Sequence, residues 1–150
     1  MVKKMLIFLI PILLFCKDIS SLILIEAKLF PKIAEINLNK PSKIAIVYDE
    51  KTKKIAYKMH KLIKNSKMIK KIDPSFDSYI FVKKIEKNEL KELIENKKLI
   101  FTIYPEDINK AMFSVYIGVR VHPYLNINLI KEAKIRINPI LLKVSKVYEE

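Results

Sequence analysis

The sequence has very little glycine, cysteine, histidine or tryptophan. Of its 150 residues one is Gly, one is Cys, two are His and none is Trp. A single glycine excludes the glycine-rich loops that bind nucleotide phosphates. A single cysteine excludes an internal disulfide and a zinc site built from several thiolates. These absences remove several common classes of enzyme and metal protein.

Catalytic candidates among the remaining residues are few. His60 and His122 are interpreted as surface or edge packing. The acidic pairs Glu106/Asp107 and Asp73/Asp77 flank predicted helices and turns, where capping is the ordinary role of a carboxylate. No Ser or Cys occupies a recognisable nucleophile turn. We therefore predict a non-enzymatic protein without a cofactor or a metal.

Hydrophobic residues make up 51% of the sequence, and Lys plus Arg exceed Asp plus Glu by 29 to 16. That hydrophobic share is enough for a core and excludes an intrinsically disordered chain. The even spread of charge excludes a polytopic membrane protein. The length predicts one domain.

The N-terminus has the pattern of a secretory signal. Two lysines precede Met5 to Cys16, twelve residues without a charged group. As a helix this run would be about 18 Å long, short of a hydrocarbon core of about 30 Å. We therefore predict a signal peptide over residues 1–18 and a periplasmic location. A longer anchor from Met5 to Ile25 is the alternative, and lipidation of Cys16 is disfavoured by the preceding Phe15.

Hydrophobic periodicity predicts alternating helices and strands in the middle of the chain. A helix over Ile19 to Ile36 should kink or end at Pro31. Helices are also predicted over Thr52 to Asn65, with Leu62 in its apolar stripe, and after Asn88 as a cap. Unbroken apolar runs predict buried strands over Lys43 to Asp49, Ser78 to Lys83 and Lys98 to Tyr104. A short apolar segment predicts a further strand over Met68 to Ile72. The fold class is α/β, a single layered domain with a mostly parallel sheet.

The C-terminal third changes pattern. Apolar and polar residues alternate from Ser114 to His122, which predicts one half-exposed strand, antiparallel near the sheet edge. Gly118 would allow close packing or a bulge in that strand, and Arg120 would block edge pairing or contact a partner. Two short helices should follow, one over Leu129 to Ile135 and one starting at Pro139 with Asn138 as its cap.

Lysines form one cluster along the chain. Lys51 to Lys71 contains nine lysines and no acid, and a candidate docking face is formed by Lys53, Lys54, Lys58, Lys61 and Lys64. This face is either an ordinary solvated surface or a docking site for an envelope polyanion or lipid headgroups. Nucleic acid is the least favoured partner, because only two of the 29 basic residues are arginine and the cluster offers only Tyr57 for stacking.

The segment from Leu125 to Lys146 resembles the C-terminal signature of the YfiR-like family of small periplasmic proteins. The matching positions are a strand-ending Asn, a helix with Lys and Ala, an apolar pair, a helix cap, a double Leu and a small residue. They are Asn126, Lys131, Ala133, Ile135, Ile137, Asn138, Leu141, Leu142 and Ser145. The order of the upstream elements also fits the family.

The sequence departs from the family pattern at several points. Lys134 stands where the family has Gly, so a left-handed turn there would be strained and a different turn is expected. The tryptophan after the first helix is missing, and a short Pro105 to Lys110 segment replaces a glycine-rich loop. No cysteine pair exists for the regulatory disulfides of some members.

The resemblance implies a non-enzymatic periplasmic regulator that binds the periplasmic part of an inner-membrane signalling protein. A second hypothesis is a small ligand-binding module that resembles half of a solute-binding protein, with its pocket at the carboxyl ends of the strands. A third is a cytoplasmic or membrane-tethered basic protein that binds polyanions. The sequence does not predict an oligomeric state.

Overall fold

Short apolar runs form the centre of a seven-stranded sheet in the computed structural model, which describes residues 19–149. Every residue is buried in β1 (Ile44–Val47), β3 (Ser78–Phe81) and β4 (Leu99–Thr102). The other strands are β2 (Ser66–Ile69), β5 (Phe113–Ile117), β6 (Val121–Leu125) and β7 (Lys146–Val147). The helices are α1 (Ile19–Leu38), α2 (Lys53–Leu62), α3 (Lys87–Glu95), α4 (Ile127–Glu132) and α5 (Pro139–Val144), with 3-10 turns at Glu50–Thr52 and Pro105–Lys110.

The strands are ordered β2-β1-β3-β4-β5-β6-β7. Neighbouring strands from β2 through β5 are parallel, β6 is antiparallel to β5, and β7 is parallel to β6. The predicted fold class, an α/β domain with a mostly parallel sheet and short C-terminal helices, is confirmed. The connection after β1 leads through α2 to β2 on one side, and the connection after β3 leads through α3 to β4 on the other side. Because both crossovers are right-handed, α2 and α3 lie on opposite faces of the sheet.

Helix α1 packs beside α2 and across the middle of the sheet. The ring of Phe30 lies 5.0 Å from that of Phe101, whose ring stacks on Phe113 at 4.8 Å between centroids. These rings are fully buried. One layer of the core therefore lies between α1 and the centre of the sheet.

Asn138 joins α5 to the end of α1. Its side-chain oxygen accepts a hydrogen bond from the backbone N–H of Ile140 at 3.0 Å, as predicted for the cap of this helix. Its backbone N–H donates to Oδ1 of Asn37 at 2.8 Å, and its amide nitrogen donates to the Ile36 carbonyl at 3.2 Å. The same side chain thus starts one helix and fixes another.

Three local predictions about helices are wrong. The helix predicted over Ile19 to Ile36 is present as α1, but the alternative that it ends at Pro31 is wrong: α1 runs on to Leu38, because residues on both sides of the proline are buried against the sheet. The residue before α3 is Glu86 rather than Asn88, and the Glu89 carboxylate accepts from the Glu86 N–H at 3.0 Å. Leu62 is 44% exposed, since α2 ends there.

The predicted single strand over Ser114 to His122 is two strands joined by a hairpin. Ile117 pairs with Val121, and the N–H of Gly118 donates to the Arg120 carbonyl at 3.0 Å across the turn. The alternation continues through the turn, where Val119 is 86% exposed, so periodicity could not reveal it. Gly118 and Arg120 are therefore turn residues, and the antiparallel strand is β6.

Among residues 19–149, no helix is both long enough and apolar enough to span a bilayer. The predicted signal peptide at residues 1–18, with Cys16, lies outside the described residues. That prediction stands on the sequence alone.

Candidate functional site

An open cleft of about 1250 Å³ lies at the carboxyl ends of β1, β2, β3 and β4. The segments that follow these strands form its walls, and the start of α3 closes one side. Its lining includes Tyr48, Asp49, Glu50, Lys51, Thr52, Lys70, Lys71, Ile72, Lys83, Lys84, Glu86, Asn88, Glu89, Glu92, Tyr104, Glu106 and Asp107. We call this site the carboxyl-edge cleft.

The position of the cleft follows from the strand order. The chain leaves β1 toward β2 and leaves β3 toward β4, so the loops after β1 and β3 diverge. Such a topological switch point opens a crevice, and ligands of open α/β sheets bind there. The predicted pocket of the ligand-binding hypothesis has the same position.

Acidic side chains outnumber basic ones in the cleft. Seven carboxylates and five lysines line it, although the whole chain has a formal charge of +13. The exposed Glu50 pairs with Lys70, which directly follows β2. The cleft is therefore a locally acidic region on a strongly basic protein.

Asp49 closes the loop after β1 by a reciprocal capping arrangement. Its carboxylate accepts from the Thr52 N–H at 3.0 Å, and the Asp49 N–H donates to the Thr52 hydroxyl, also at 3.0 Å. Partial desolvation opposes ionisation, yet the hydrogen bonds from Thr52 outweigh it and lower the pKa of Asp49. An ionised carboxylate is thus fixed at the mouth of the cleft.

Lys83 and Glu89 form an ion pair that is almost enclosed. Their Nζ and Oε1 atoms lie 2.6 Å apart, with side-chain exposures of 9% and 11%. Lys83 also donates to the Lys84 carbonyl at 3.2 Å and lies over the Phe81 ring. The pair joins the end of β3 to the first turn of α3 and so shapes the cleft wall.

Glu26 is the only buried charged residue of α1, and neither carboxylate oxygen has a hydrogen-bond partner. Burial raises its pKa well above the usual value, and repulsion from Glu106 in the cleft adds to the shift. Burial, and then the charge of Glu26, also raise the pKa of Tyr104, whose hydroxyl donates to the Val82 carbonyl at 2.9 Å. Glu26 therefore interacts electrostatically with two residues of the cleft lining, Glu106 and Tyr104.

The predicted docking residues lie away from the lining of this cleft. Lys53, Lys54, Lys58, Lys61 and Lys64, which we call the lysine face, are all exposed on α2 and just after it. Tyr57 and Leu62 are exposed among them, at 53% and 44%. The fold thus places four of the predicted lysines on one helix and Lys64 just after it, with two large apolar groups.

The residues matched to the YfiR-like pattern in the sequence have mainly structural surroundings. Asn126 is buried, caps α4 through Leu129 and donates to the Ile108 carbonyl at 2.9 Å. Ala133 and Leu141 are buried, Ile135 is half-buried and Leu142 is 42% exposed. Leu142 therefore contributes less to the core than its neighbour.

Lys134 has a φ of 57°, a left-handed backbone. The expectation of a different turn, based on lysine replacing the family glycine, is wrong. The N–H of Ile135 donates to the Ile130 carbonyl at 3.1 Å and that of Lys134 to Lys131 at 2.9 Å, which is the bonding of a glycine-type helix end. These bonds hold lysine in a conformation that glycine adopts more easily.

The histidines and the turn acids have structural contacts. His60 Nδ1 lies 2.9 Å from the Ser66 hydroxyl, and His122 Nδ1 lies 3.2 Å from the Val144 carbonyl. Asp73 accepts from the Ser75 N–H and Asp77 from the Lys43 N–H, each at 3.0 Å. In the described part of the chain, no three His, Cys, Asp or Glu side chains are arranged to hold a metal ion.

Sequence reasoning missed Glu26 and Lys83. Glu26 stands three residues after Ile23 and four before Phe30, so a charge on an apolar stripe was a readable signal of a buried acid. Lys83 follows a buried strand, but nothing local links it to Glu89.

Comparison with known proteins does not assign this chain to a family. No protein-family model matches this chain, and no curated protein is significantly similar to it.

Proposed function

We propose that this protein is a non-enzymatic regulator of the cell envelope that binds the periplasmic part of an inner-membrane signalling protein. The observation that carries this function is the YfiR-like signature at residues 125–146. Within it, Asn138 caps α5 at the predicted position, Asn126 caps α4, and Lys134 has the left-handed backbone that glycine adopts most easily. These local features support the match of Asn138 to the family cap and of Lys134 to the family glycine.

Export is the first requirement of this function. A reporter that is active only outside the cytoplasm, fused after Asp18, is expected to be active. A matched fusion carrying Leu9→Arg, which places a charge in the apolar run, should be inactive. A reporter active only in the cytoplasm, if active at the same junction in the unsubstituted chain, would contradict the proposal.

The second requirement is a membrane partner. The full chain with a C-terminal tag, crosslinked in cells and purified from detergent-dissolved membranes, should recover one membrane signalling protein in stable ratio. Because Arg120 and Val119 are exposed at the hairpin turn, crosslinkable residues placed there and at Lys87 on α3 sample two surfaces. Equal background capture from both positions would contradict a specific partner.

The carboxyl-edge cleft favours a second candidate function, a small ligand-binding module. Its location at the switch point and its excess of carboxylates suit a compact polar ligand with an amino or guanidino group. Thermal unfolding in the presence of free amino acids and polyamines tests this function. Stabilisation that Glu106→Gln abolishes and Glu132→Gln preserves would support the ligand binder. No stabilisation, together with partner capture, would favour the regulator alone.

A further inference from the structure

The exposed half of α2 combines positive charge with apolar groups. At about 100° per residue, the residues at 53, 54, 57, 58, 61 and 62 span about half of the helix circumference. The other half packs on the sheet, where Ala56 and Met59 are fully buried. The exposed half therefore holds four lysines of the lysine face together with Tyr57 and Leu62.

The charges of this surface are not balanced along the segment. No acid occurs from Lys51 to Lys71, and the exposed Lys67 in β2 and Lys70 just after it add further positive charge. Glu50, before the segment, forms its ion pair with Lys70, and Lys53 of the lysine face acts on it more weakly through its charge. A net positive potential therefore covers this side of the protein.

Tyr57 gives the surface a second property. Its ring is 53% exposed, and Nζ of Lys61 lies 4.6 Å from the ring centroid. An aromatic ring with a polar hydroxyl is stable at the headgroup level of a bilayer, where its apolar body is buried and its hydroxyl stays hydrated. Leu62 adds aliphatic surface at the end of the helix. A soluble polyanion would recognise the lysines but would leave these apolar groups in water.

We propose that the lysine face, with Tyr57 and Leu62, docks on a bilayer containing anionic phospholipids, with α2 parallel to the membrane plane. Lysines contact the phosphate groups, while Tyr57 and Leu62 enter the headgroup region. This interaction is independent of the protein partner and of the carboxyl-edge cleft. It would hold the domain at the membrane surface whether or not a signalling protein is bound.

Vesicle sedimentation tests the charge requirement. The full chain is mixed with vesicles of phosphatidylcholine alone or with 30% phosphatidylglycerol, in the presence of increasing salt. Lys54→Gln/Lys58→Gln should weaken binding to anionic vesicles about 25-fold, since each lysine near the surface contributes roughly a factor of five. The matched control Lys87→Gln/Lys91→Gln removes the same charge at the same spacing from α3, on the opposite face, and should change binding less than about twofold. All variants keep residues 1–18, so their contribution cancels.

A fluorescence experiment tests the orientation. The chain has no Trp, so Tyr57→Trp provides a single probe. Its emission should shift to shorter wavelength and increase with phosphatidylglycerol vesicles, while Tyr116→Trp, at the exposed end of β5, should not change. Tyr57→Ser should weaken binding severalfold and leave the salt dependence intact.

Three results would overturn the proposal. One is equal loss of binding in the two double-lysine variants. Another is vesicle binding without a change in the emission of the Tyr57→Trp probe. The third is tight binding to polyphosphate that is insensitive to Tyr57→Ser and displaces the protein from vesicles, which would identify a soluble polyanion as the partner. Failure of this proposal would leave partner capture unaffected and so would not count against the proposed regulator.

Discussion

The carboxyl-edge cleft and the lysine face use the same residue type in opposite ways. In the cleft, Lys83 is nearly buried and paired with Glu89, and acids outnumber lysines. On α2 the lysines are exposed, and their segment contains no acid. Removing a lysine from the first environment leaves a nearly buried carboxylate unpaired and destabilises the fold, whereas a lysine in the second contributes little to folding and keeps its charge at the surface. The formal charge of +13 is therefore unevenly distributed: lysines dominate the exposed surface of α2, and acids dominate the cleft.

The strongest way to test this contrast is to remove the buried lysine. Lys83→Met leaves the Glu89 carboxylate, 11% exposed, without its cation, and should lower the free energy of unfolding by about 3 to 5 kcal/mol. Urea denaturation followed by circular dichroism measures the change. The neighbouring exposed Lys84→Met should change stability by less than about 0.5 kcal/mol. Similar losses in both variants would show that the ion pair has no special role.

Removing the buried acid beside the cleft should have the opposite sign. Glu26→Met replaces a carboxyl that lacks any partner by an apolar group of similar length, and should raise stability at pH 7 by about 1 to 3 kcal/mol. The exposed Glu35→Met on the same helix is the control and should be near neutral. Thermal unfolding of both variants checks the difference.

The pH dependence of that difference follows from the raised pKa of Glu26. The native state holds this proton more tightly than the unfolded chain, so stability is fully present below the ordinary pKa of glutamate and falls as pH rises through the native pKa. The advantage of Glu26→Met should therefore shrink as the pH is lowered toward 4. Stability curves that stay parallel from pH 8 to pH 4 would contradict a buried, proton-linked carboxyl.

Lys134 extends the comparison to a lysine whose backbone conformation, rather than its charge, sets its effect. Lys134→Gly relieves the left-handed strain at φ 57° and should raise the free energy of unfolding by about 0.5 to 1 kcal/mol. Lys131→Gly, inside α4, removes the same charge and should lower it by about 1 kcal/mol. Equal effects from the two glycines in a chemical denaturation series would argue against strain at this turn.

The smallest expected effect on folding belongs to the lysine face. Lys54→Gln/Lys58→Gln removes two exposed charges and should change the free energy of unfolding by less than about 0.5 kcal/mol in either direction. The difference in melting temperature from the unsubstituted chain should shrink as salt is added, because salt screens interactions between exposed charges. A loss above about 1 kcal/mol would mean that these lysines stabilise the fold, and the contrast with the cleft would not hold.

The sequence predicts the framework of the fold because its signals are local. Unbroken apolar runs mark β1, β3 and β4, and Asn138 followed by Pro139 marks the start of α5. The hairpin at Gly118 was missed because alternation continues through its turn. Pro31 does not end α1, because burial on both sides of the proline maintains the helix. In both cases contacts with the rest of the fold determine where an element ends, and the local sequence pattern does not contain those contacts.

The candidate sites differ in how far they were predictable. The lysine face follows directly from residue spacing on one amphipathic helix. The cleft depends on which strands become neighbours, and the order that places β2 and β4 on opposite sides of the β1–β3 pair is not encoded in periodicity. The pairing of Lys83 with Glu89 and the isolation of Glu26 depend on that assembly as well.

The hydrogen bond between Asn37 and Asn138 joins residues 101 positions apart, and it has a consequence for the order of events during synthesis. Helix α1 is the first described element to leave the ribosome, yet the contact that fixes its C-terminal end needs a residue made much later. At synthesis rates of about 5 to 20 residues per second, the two partners appear roughly 5 to 20 seconds apart. During that interval the C-terminal end of α1 lacks this anchor, and until Phe101 of β4 is made the buried ring of Phe30 lacks its partner as well. A chaperone or translocation factor that binds nascent apolar helices would therefore find the stripe of α1 available until the sheet assembles.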